Sequence, residues 1–379
     1  MVNTILALCS RDQGHTVMYR LLRQALAEFH DSGSIWDDLI RQAEQQGLSP
    51  LLHKHLSALD FDVPVAARRL LQSLYLRSRR ANQIRNETFS EILAAYRTDN
   101  IDLLAVKGIA LSNFVYSDPA LRPMRDIDLL VSRADLARAQ NILEELGFCE
   151  DRHHPLPDDF YHLTPMQKSV NGLPVSVELH HNLLPFHAHY PRWPFARSAD
   201  RSFALRIGRQ ETRTLCLEDT LWYLCLHGFR APLTYEPYRL IHVADMVSLV
   251  ESFSRDIDWR EVRRLDATLL HVLSRFHYLT PWPEDIVELL QLPIARPSRC
   301  IGEPYKGWPQ RSIKDISPSE LFRFFRETLW PGQWWLQIYY GHLAGAPYLR
   351  ARWFEHPRTV WRWLKTYVAE KLQSPGSDQ

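Results

Sequence analysis

The sequence predicts an α+β fold: a small mixed β-sheet flanked by helical regions on its N-terminal and C-terminal sides. Three observations carry this expectation. Apolar residues recur at helical spacing before residue 98 and again after residue 215. Between them, from Ile101, short apolar runs alternate with helical ones in the order strand, helix, strand, helix, followed by further strands. Asn171-Gly172 then separates two strand-like runs, as a tight hairpin turn does.

The elements follow in chain order. Trp36 to Gln46 is amphipathic at helical spacing and stops at Gly47. Arg68 to Tyr96 is a longer helix, with Leu70, Leu71, Leu74, Phe89, Ile92, Leu93 and Tyr96 on recurring faces. Its arginines (Arg68, Arg69, Arg77, Arg79, Arg80, Arg85) read first as a solvated face and second as a patch that attracts phosphate. Ile101 to Val106 is a strand. Lys107-Gly108 turns it into a helix over Ile109 to Tyr116, which Asp118-Pro119 breaks. A loop bearing Arg122 and Arg125 leads into a strand over Asp126 to Val131. Ser132 or Asp135 caps a helix over Leu136 to Leu146, closed by Gly147. Phe148 onward, Ser169-Val170 and Val175 to His180 continue the sheet in antiparallel fashion. Leu215 to Val250, Trp259 to Leu273 and Glu284 to Leu290 return to helical spacing. Residues 293–318 are proline-rich and polar, an irregular connection.

Four regions are expected: 1–98 helical, 99–205 the α/β core, 206–292 helical, and 293–379 the proline-rich connection with aromatic and basic helices. Seven of the twelve tryptophans lie at or beyond Trp308, beside Arg350, Arg352, Arg358, Arg362 and Lys365. This tail reads first as a helical hairpin packed on the body, and second as a surface for membrane or nucleic-acid bases. Residues 373–379 are expected to be disordered.

Composition narrows the class without naming a partner. Net charge is +1, with 45% hydrophobic and 23% charged residues, as in ordinary globular domains. The five cysteines are scattered and lack CxxC spacing, which favours a reducing compartment. The first residues lack a basic start and a long apolar run, and no apolar stretch is long enough to span a bilayer. A cytoplasmic location is expected.

The chemistry concentrates in Leu103 to Gly147. Asp126 and Asp128 are two residues apart on a strand, so they share a face, while Ile127, Leu129 and Val131 point the other way. Two neighbouring acids repel, and a divalent cation gives them a reason to coexist. Glu178, on a later strand, can supply a third oxygen. Such a set suits Mg²⁺, with Mn²⁺ as the alternative. Lys107-Gly108, at the start of a helix, is placed to bind phosphate, and Arg122 and Arg125 can clamp it. Each feature has a structural alternative: a plain Lys-Gly turn, Glu178 opposite a basic side chain, or Arg125 neutralising Asp126 or Asp128. Seven histidines fall between His153 and His189 without metal-ligand spacing, and read as structural or solvent-facing.

The order VKGIAL (Val106 to Leu111), Tyr116, RPMRDIDLLV (Arg122 to Val131), LEELGF (Leu143 to Phe148), VELHHNL (Val177 to Leu183), LEDTLWYLCLH (Leu217 to His227) and RLIHVADMVSLV (Arg239 to Val250) resembles the DNA-polymerase-β-like nucleotidyltransferase superfamily. Within it, the chain is most similar to a bacterial group of uncharacterised nucleotidyltransferases. The resemblance implies metal-ligand roles for Asp126 and Asp128, a third acidic role for Glu178, and a nucleotide-side role for Lys107 and Gly108. Arg125 and His180 fall in motif positions of undefined role. The superfamily at large has Gly-Ser or Gly-Gly where this chain has Lys107-Gly108. The serine that would bind triphosphate is absent, and Ser112 stands one turn further on.

Three readings follow. The first is Mg²⁺-dependent transfer of a nucleoside monophosphate from an NTP to a hydroxyl or phosphate acceptor, with release of pyrophosphate. The acceptor would be a small molecule, peptide or saccharide, with nucleic acid less favoured. The second, motivated by the missing serine, is a nucleotide-binding or scaffold protein of a biosynthetic pathway without turnover. The third, motivated by the basic helix, is a toxin-like transferase acting on RNA or protein.

Overall fold

The computed structural model describes residues 2–28, 33–150, 160–184, 193–229, 239–267 and 269–292, and within the tail 329–330, 336, 340, 345–362 and 365. The expected irregular connection at 293–318 and the expected disorder at 373–379 lie outside the described residues.

The N-terminal region is helical throughout: α1 (Val2–Leu8), α2 (Thr16–Ala27), α3 (Gly33–Gln45), α4 (Ser49–Ser57) and α5 (Val65–Thr98). At 34 residues, α5 runs about 50 Å at 1.5 Å per residue. Its first half exposes Arg68, Arg69, Arg77, Arg79 and Arg80, a solvated face, but Arg85 is buried. The buried face of α5 holds the loop before the acidic strand. Ser78 Oγ donates to the Ala120 carbonyl at 2.8 Å, and Asn82 Nδ2 donates to the carbonyls of Pro119 and Arg122.

A five-stranded mixed sheet follows, built from β1 (Leu103–Val106), β2 (Asp126–Val131), β3 (Cys149–Glu150), β4 (Met166–Val170) and β5 (Leu173–His180), in the order β1-β2-β5-β4-β3. β2 and β5 run parallel; the other pairs are antiparallel. Helix α6 begins at Lys107 rather than Ile109 and ends at Phe114, so the Lys-Gly pair is its first turn. Asn171 and Gly172 both have positive φ, 52° and 78°, and join β4 to β5 as a two-residue turn whose twist suits a hairpin. α7 (Leu136–Glu145) packs on the sheet.

A second hairpin, β6 (Phe203–Ile207) and β7 (Gln210–Thr214), crosses the expected boundary at residues 205–206. Its alternation is real, with Leu205, Ile207, Thr212 and Thr214 buried, but two of the four inward residues are threonines, which weakens the apolar signal. The hairpin leans on α6, with the Phe114 and Phe203 rings edge-to-face at 5.4 Å. The helices α8 (Phe195–Asp200), α9 (Leu217–Phe229), α10 (Leu240–Phe253), α11 (Trp259–Leu265), α12 (Leu269–Phe276) and α13 (Glu284–Leu290) complete the body.

The two faces of the sheet belong to different cores. Ile127, Leu129, Val131, Val175, Val177 and Leu179 pack with the second half of α5 and with α7. Leu104, Val106 and Leu130, on the opposite face, join the apolar residues of α1–α4, α9, α10, α12 and α13. The N-terminal and C-terminal helices therefore share one core. Arg11, fully buried after α1, bonds Glu251 of α10 at 2.7 Å and Thr280 at 2.7 and 3.0 Å. The carboxylate face of β2 and β5 looks toward this helical body.

In the tail, α14 (Ala346–Arg350) opens a longer helical stretch. Ala351, His356 and Val360 are buried, whereas Leu349, Trp353, Phe354 and Trp361 are exposed. Among the described residues, no helix is long and apolar enough to cross a membrane.

Candidate active site

Parallel pairing sets Asp126 opposite Ser176 and Asp128 opposite Glu178, with His180 two residues beyond Glu178 on the same face. The sheet therefore gathers carboxylates from two adjacent strands. Asp128 is fully buried. Its Oδ1 accepts from Lys107 Nζ at 2.6 Å and pairs with His180 Nε2 at 2.9 Å. Glu178 Oε2 lies 3.3 Å from His180 Nε2 and 4.0 Å from Lys107 Nζ. Donor atoms of Asp128, Glu178 and His180 all lie within 4.8 Å of one another.

Asp126 shares the face but stands outside this trio. Burial, and then repulsion from Asp128 and Glu178, raise its carboxyl to about 6. Burial likewise opposes ionisation of Asp128 and Glu178. For these two, the Lys107 charge and the His180 hydrogen bond outweigh it and hold both below the ordinary carboxylate range. Burial lowers Lys107, yet the fields of Asp128 and Glu178 raise it well above its usual value, so it is an ammonium.

Lys107 sits where β1 turns into α6, with φ at 51°. For a side-chain-bearing residue this left-handed conformation costs roughly 1–2 kcal/mol relative to the helical one. Glycine takes it freely, and here a lysine holds it with its ammonium on Asp128. Gly108 serves packing: a Cβ there would come within 2.9 Å of Met124 Cβ and 3.1 Å of Arg122 Nη1. Ser112 is buried. Its hydroxyl accepts from Asn113 Nδ2, which is also bonded to Asn86 of α5, so it leans toward α5.

The two arginines before β2 part company. Arg122 turns inward onto Asp245 of α10, Nε to Oδ1 at 3.1 Å and Nη2 to Oδ2 at 2.8 Å, and Tyr116 donates to the same Oδ1 at 2.7 Å. It is thereby committed to holding the loop. Arg125 is exposed, with no hydrogen bond or ion pair among the described residues, so it does not neutralise Asp126 or Asp128.

Several contributors escape sequence reading. Arg85 of α5 is buried, Nε and Nη1 have no partner among the described residues, and it lies in the field of Asp126. The Tyr161 and His162 rings stand 5.5 and 4.9 Å from the His180 ring. Tyr223 of α9 brings a buried hydroxyl, unpartnered among the described residues, into the field of Lys107 and Asp128. The sequence carries a signal for Arg85, in the arginine set whose second reading attracts phosphate, and for His180, which alternates with Glu178 onto one face.

A divalent cation fits these residues. Asp128 Oδ2 is buried without a hydrogen-bond partner among the described residues, an orphaned anionic oxygen of the kind a cation satisfies. The donors are two carboxylates and one imidazole, a mainly hard set that suits Mg²⁺ or Mn²⁺ better than a thiolate metal.

A family model described as uncharacterised nucleotidyltransferase matches residues 32–280, well over half of the chain. No curated protein matches. Among solved structures, the crystal structure of ANT(2'')-Ia in complex with adenylyl-2''-tobramycin is 17% identical with a TM-score of 0.34, covering 50% of this chain and 98% of that one. The solution structure of the antibiotic-resistance factor ANT(2'')-Ia is 17% identical with a TM-score of 0.33, covering 52% and 96%. An antigenic nucleotidyltransferase-like protein from Paracoccidioides brasiliensis is 15% identical with a TM-score of 0.32, covering 55% and 93%. On the family match, the chain belongs to the uncharacterised nucleotidyltransferase family.

Proposed function

We propose that the protein transfers a nucleoside monophosphate from an NTP to a hydroxyl or phosphate acceptor at the Asp126, Asp128 and Glu178 face. The acceptor oxygen bonds to the α-phosphorus, the bond from that phosphorus to the β-phosphate bridge breaks, and pyrophosphate leaves with the electron pair. The carrying observation is the parallel register that sets Asp128 against Glu178, with His180 bonded to both.

Asp128, Glu178 and His180 would hold Mg²⁺ or Mn²⁺, with Asp126 beside them on the same face. When bound, the ion offsets charge on the phosphates and lowers the cost of forming the attacking oxygen anion. Lys107 and the opening amides of α6 receive phosphate oxygens, since a helix start offers free N–H groups and a favourable dipole. Arg125, exposed and unpaired among the described residues, and Arg85, with two buried nitrogens unpaired among them, add charge for the leaving pyrophosphate. Asp126, outside the hydrogen-bonded trio, takes the proton of the acceptor hydroxyl. Tyr161, whose ring lies 5.5 Å from the His180 ring, and buried Tyr223 of α9 crowd the cluster and limit water. Arg122 and Gly108 set the loop and helix in register without touching substrate. A cytoplasmic setting accords with the free cysteines Cys9, Cys149, Cys216 and Cys225.

The test is incubation with Mg²⁺ and labelled NTPs across an acceptor panel, reading transferred label. Label transfer that stops in Asp128→Asn supports the reading. Metal-dependent NTP binding that survives loss of both aspartates refutes it. The Lys107–Asp128 ion pair favours one second reading, a nucleotide-binding protein without turnover, and NTP binding with no pyrophosphate release across the panel would establish that instead.

A further inference from the structure

We propose that Lys107 is a resident cation of the carboxylate face, and that a divalent ion enters at Asp128 only together with a nucleotide whose phosphates draw the ammonium away. This rests on the metal-dependent reading above and adds an order of binding to it.

Three observations carry it. First, Lys107 Nζ occupies the space a cation would use, 2.6 Å from Asp128 Oδ1 and 4.0 Å from Glu178 Oε2. The third donor, His180 Nε2, is engaged with the same two carboxylates at 2.9 and 3.3 Å. The trio is thus balanced by the chain itself, and a dication reaching Asp128 meets an ammonium at close range in a poorly solvated site. The Lys107 side chain is 13% exposed and that of Asp128 is 0%.

Second, the backbone at Lys107 is in the left-handed region, φ 51°, at a strand-to-helix turn that glycine would make without strain. A strained residue whose side chain goes straight to a buried carboxylate points to a task for that side chain. Third, the ammonium has somewhere to go. It is carried on a flexible four-carbon stem and has three donors, of which Asp128 takes one. Phosphate oxygens at the start of α6 would offer it other anions. When it swings to them, Asp128 Oδ1 keeps only its His180 contact, and Oδ2 has no hydrogen-bond partner among the described residues. Metal and nucleotide then raise each other's affinity by the same factor, because coupling between two sites is reciprocal.

The experiment is Mn²⁺ titration of the full chain followed by electron paramagnetic resonance, with and without the α,β-methylene analogues of ATP and GTP. The wild type alone should retain Mn²⁺ weakly, and an analogue should tighten retention at least about tenfold. Lys107→Met alone should retain Mn²⁺ at least about tenfold more tightly than wild type, with the analogue adding little. Lys107→Arg, which keeps the charge, should behave as wild type. Lys107→Gly suits the backbone turn and removes the cation, so it gives the same readout if Lys107→Met does not fold. Wild-type protein that binds Mn²⁺ alone as tightly as Lys107→Met overturns the proposal and leaves the transfer reading intact. Absence of Mn²⁺ retention in every variant, with or without analogue, overturns the metal-dependent reading itself.

Discussion

Arg122 and Asp245 form a two-pronged ion pair, 3.1 and 2.8 Å, across 123 positions of sequence, and the carboxylate is fully buried. The pair fastens the loop before β2 to α10, so the position of Asp126 and Asp128 depends on a helix far along the chain. Breaking one partner of a buried pair strands the other charge. Asp245→Asn should therefore lower unfolding stability by about 3–5 kcal/mol. Replacing both partners, as Arg122→Met with Asp245→Leu, should cost less than the single change. Denaturant midpoints measure both.

Gly108 lies under that same guanidinium. A methyl group there meets Met124 Cβ at 2.9 Å and Arg122 Nη1 at 3.1 Å, and the Met124 side is too close to the backbone to swing clear. Gly108→Ala should cost about 1–3 kcal/mol through overpacking. The Arg122–Asp245 pair should loosen with it, and thermal unfolding of the variant against wild type checks the size.

Arg85 gives the opposite expectation. Two of its guanidinium nitrogens are buried without partners among the described residues, which costs free energy in the folded protein. Arg85→Met should leave stability unchanged or raise it by about 1 kcal/mol. The same substitution should weaken NTP binding roughly tenfold if the charge is kept for phosphate. Calorimetry of folding and of nucleotide binding separates the two effects.

Asp126 makes the stability of the metal-free protein depend on pH. Its folded carboxyl, raised to about 6 from 3.8, holds a proton that the unfolded chain releases. The folded state binds more protons between these values, so this contribution is present at about pH 4 and is lost as pH rises through 6. The wild type should lose on the order of 2 kcal/mol relative to Asp126→Asn over that window, after which the difference is flat. Lowered carboxyls such as Glu178 act with the opposite sign and cancel in the comparison. Unfolding curves of both proteins in chelator from pH 4 to 7.5 supply the test.

Strand periodicity carried much of this in the sequence. The D-I-D run placed two acids on one face and three apolar residues on the other, as the two cores show. Asn171-Gly172 marked the hairpin, and Leu173–His180 followed it as a strand. What periodicity does not report is pairing between distant segments. Asp245, inside a run whose spacing says only that it is helical, belongs to Arg122. Arg85 looked like one more arginine of a solvated face, because burial of one helix position in 34 depends on what packs there. The parallel register of β2 with β5 decides that Glu178 faces Asp128, and no local pattern encodes a register. Lys107 was visible as a departure from Gly-Ser, but its left-handed backbone and its reach to Asp128 required coordinates.

The most direct test of the central claim is pyrophosphate release from labelled NTPs in the presence of Mg²⁺ and cell-extract acceptors, comparing wild type with Asp128→Asn and Glu178→Gln. Facing carboxylates at one transfer site predict release by wild type and a loss of at least about 100-fold in each variant. Release that proceeds undiminished in both variants would contradict it.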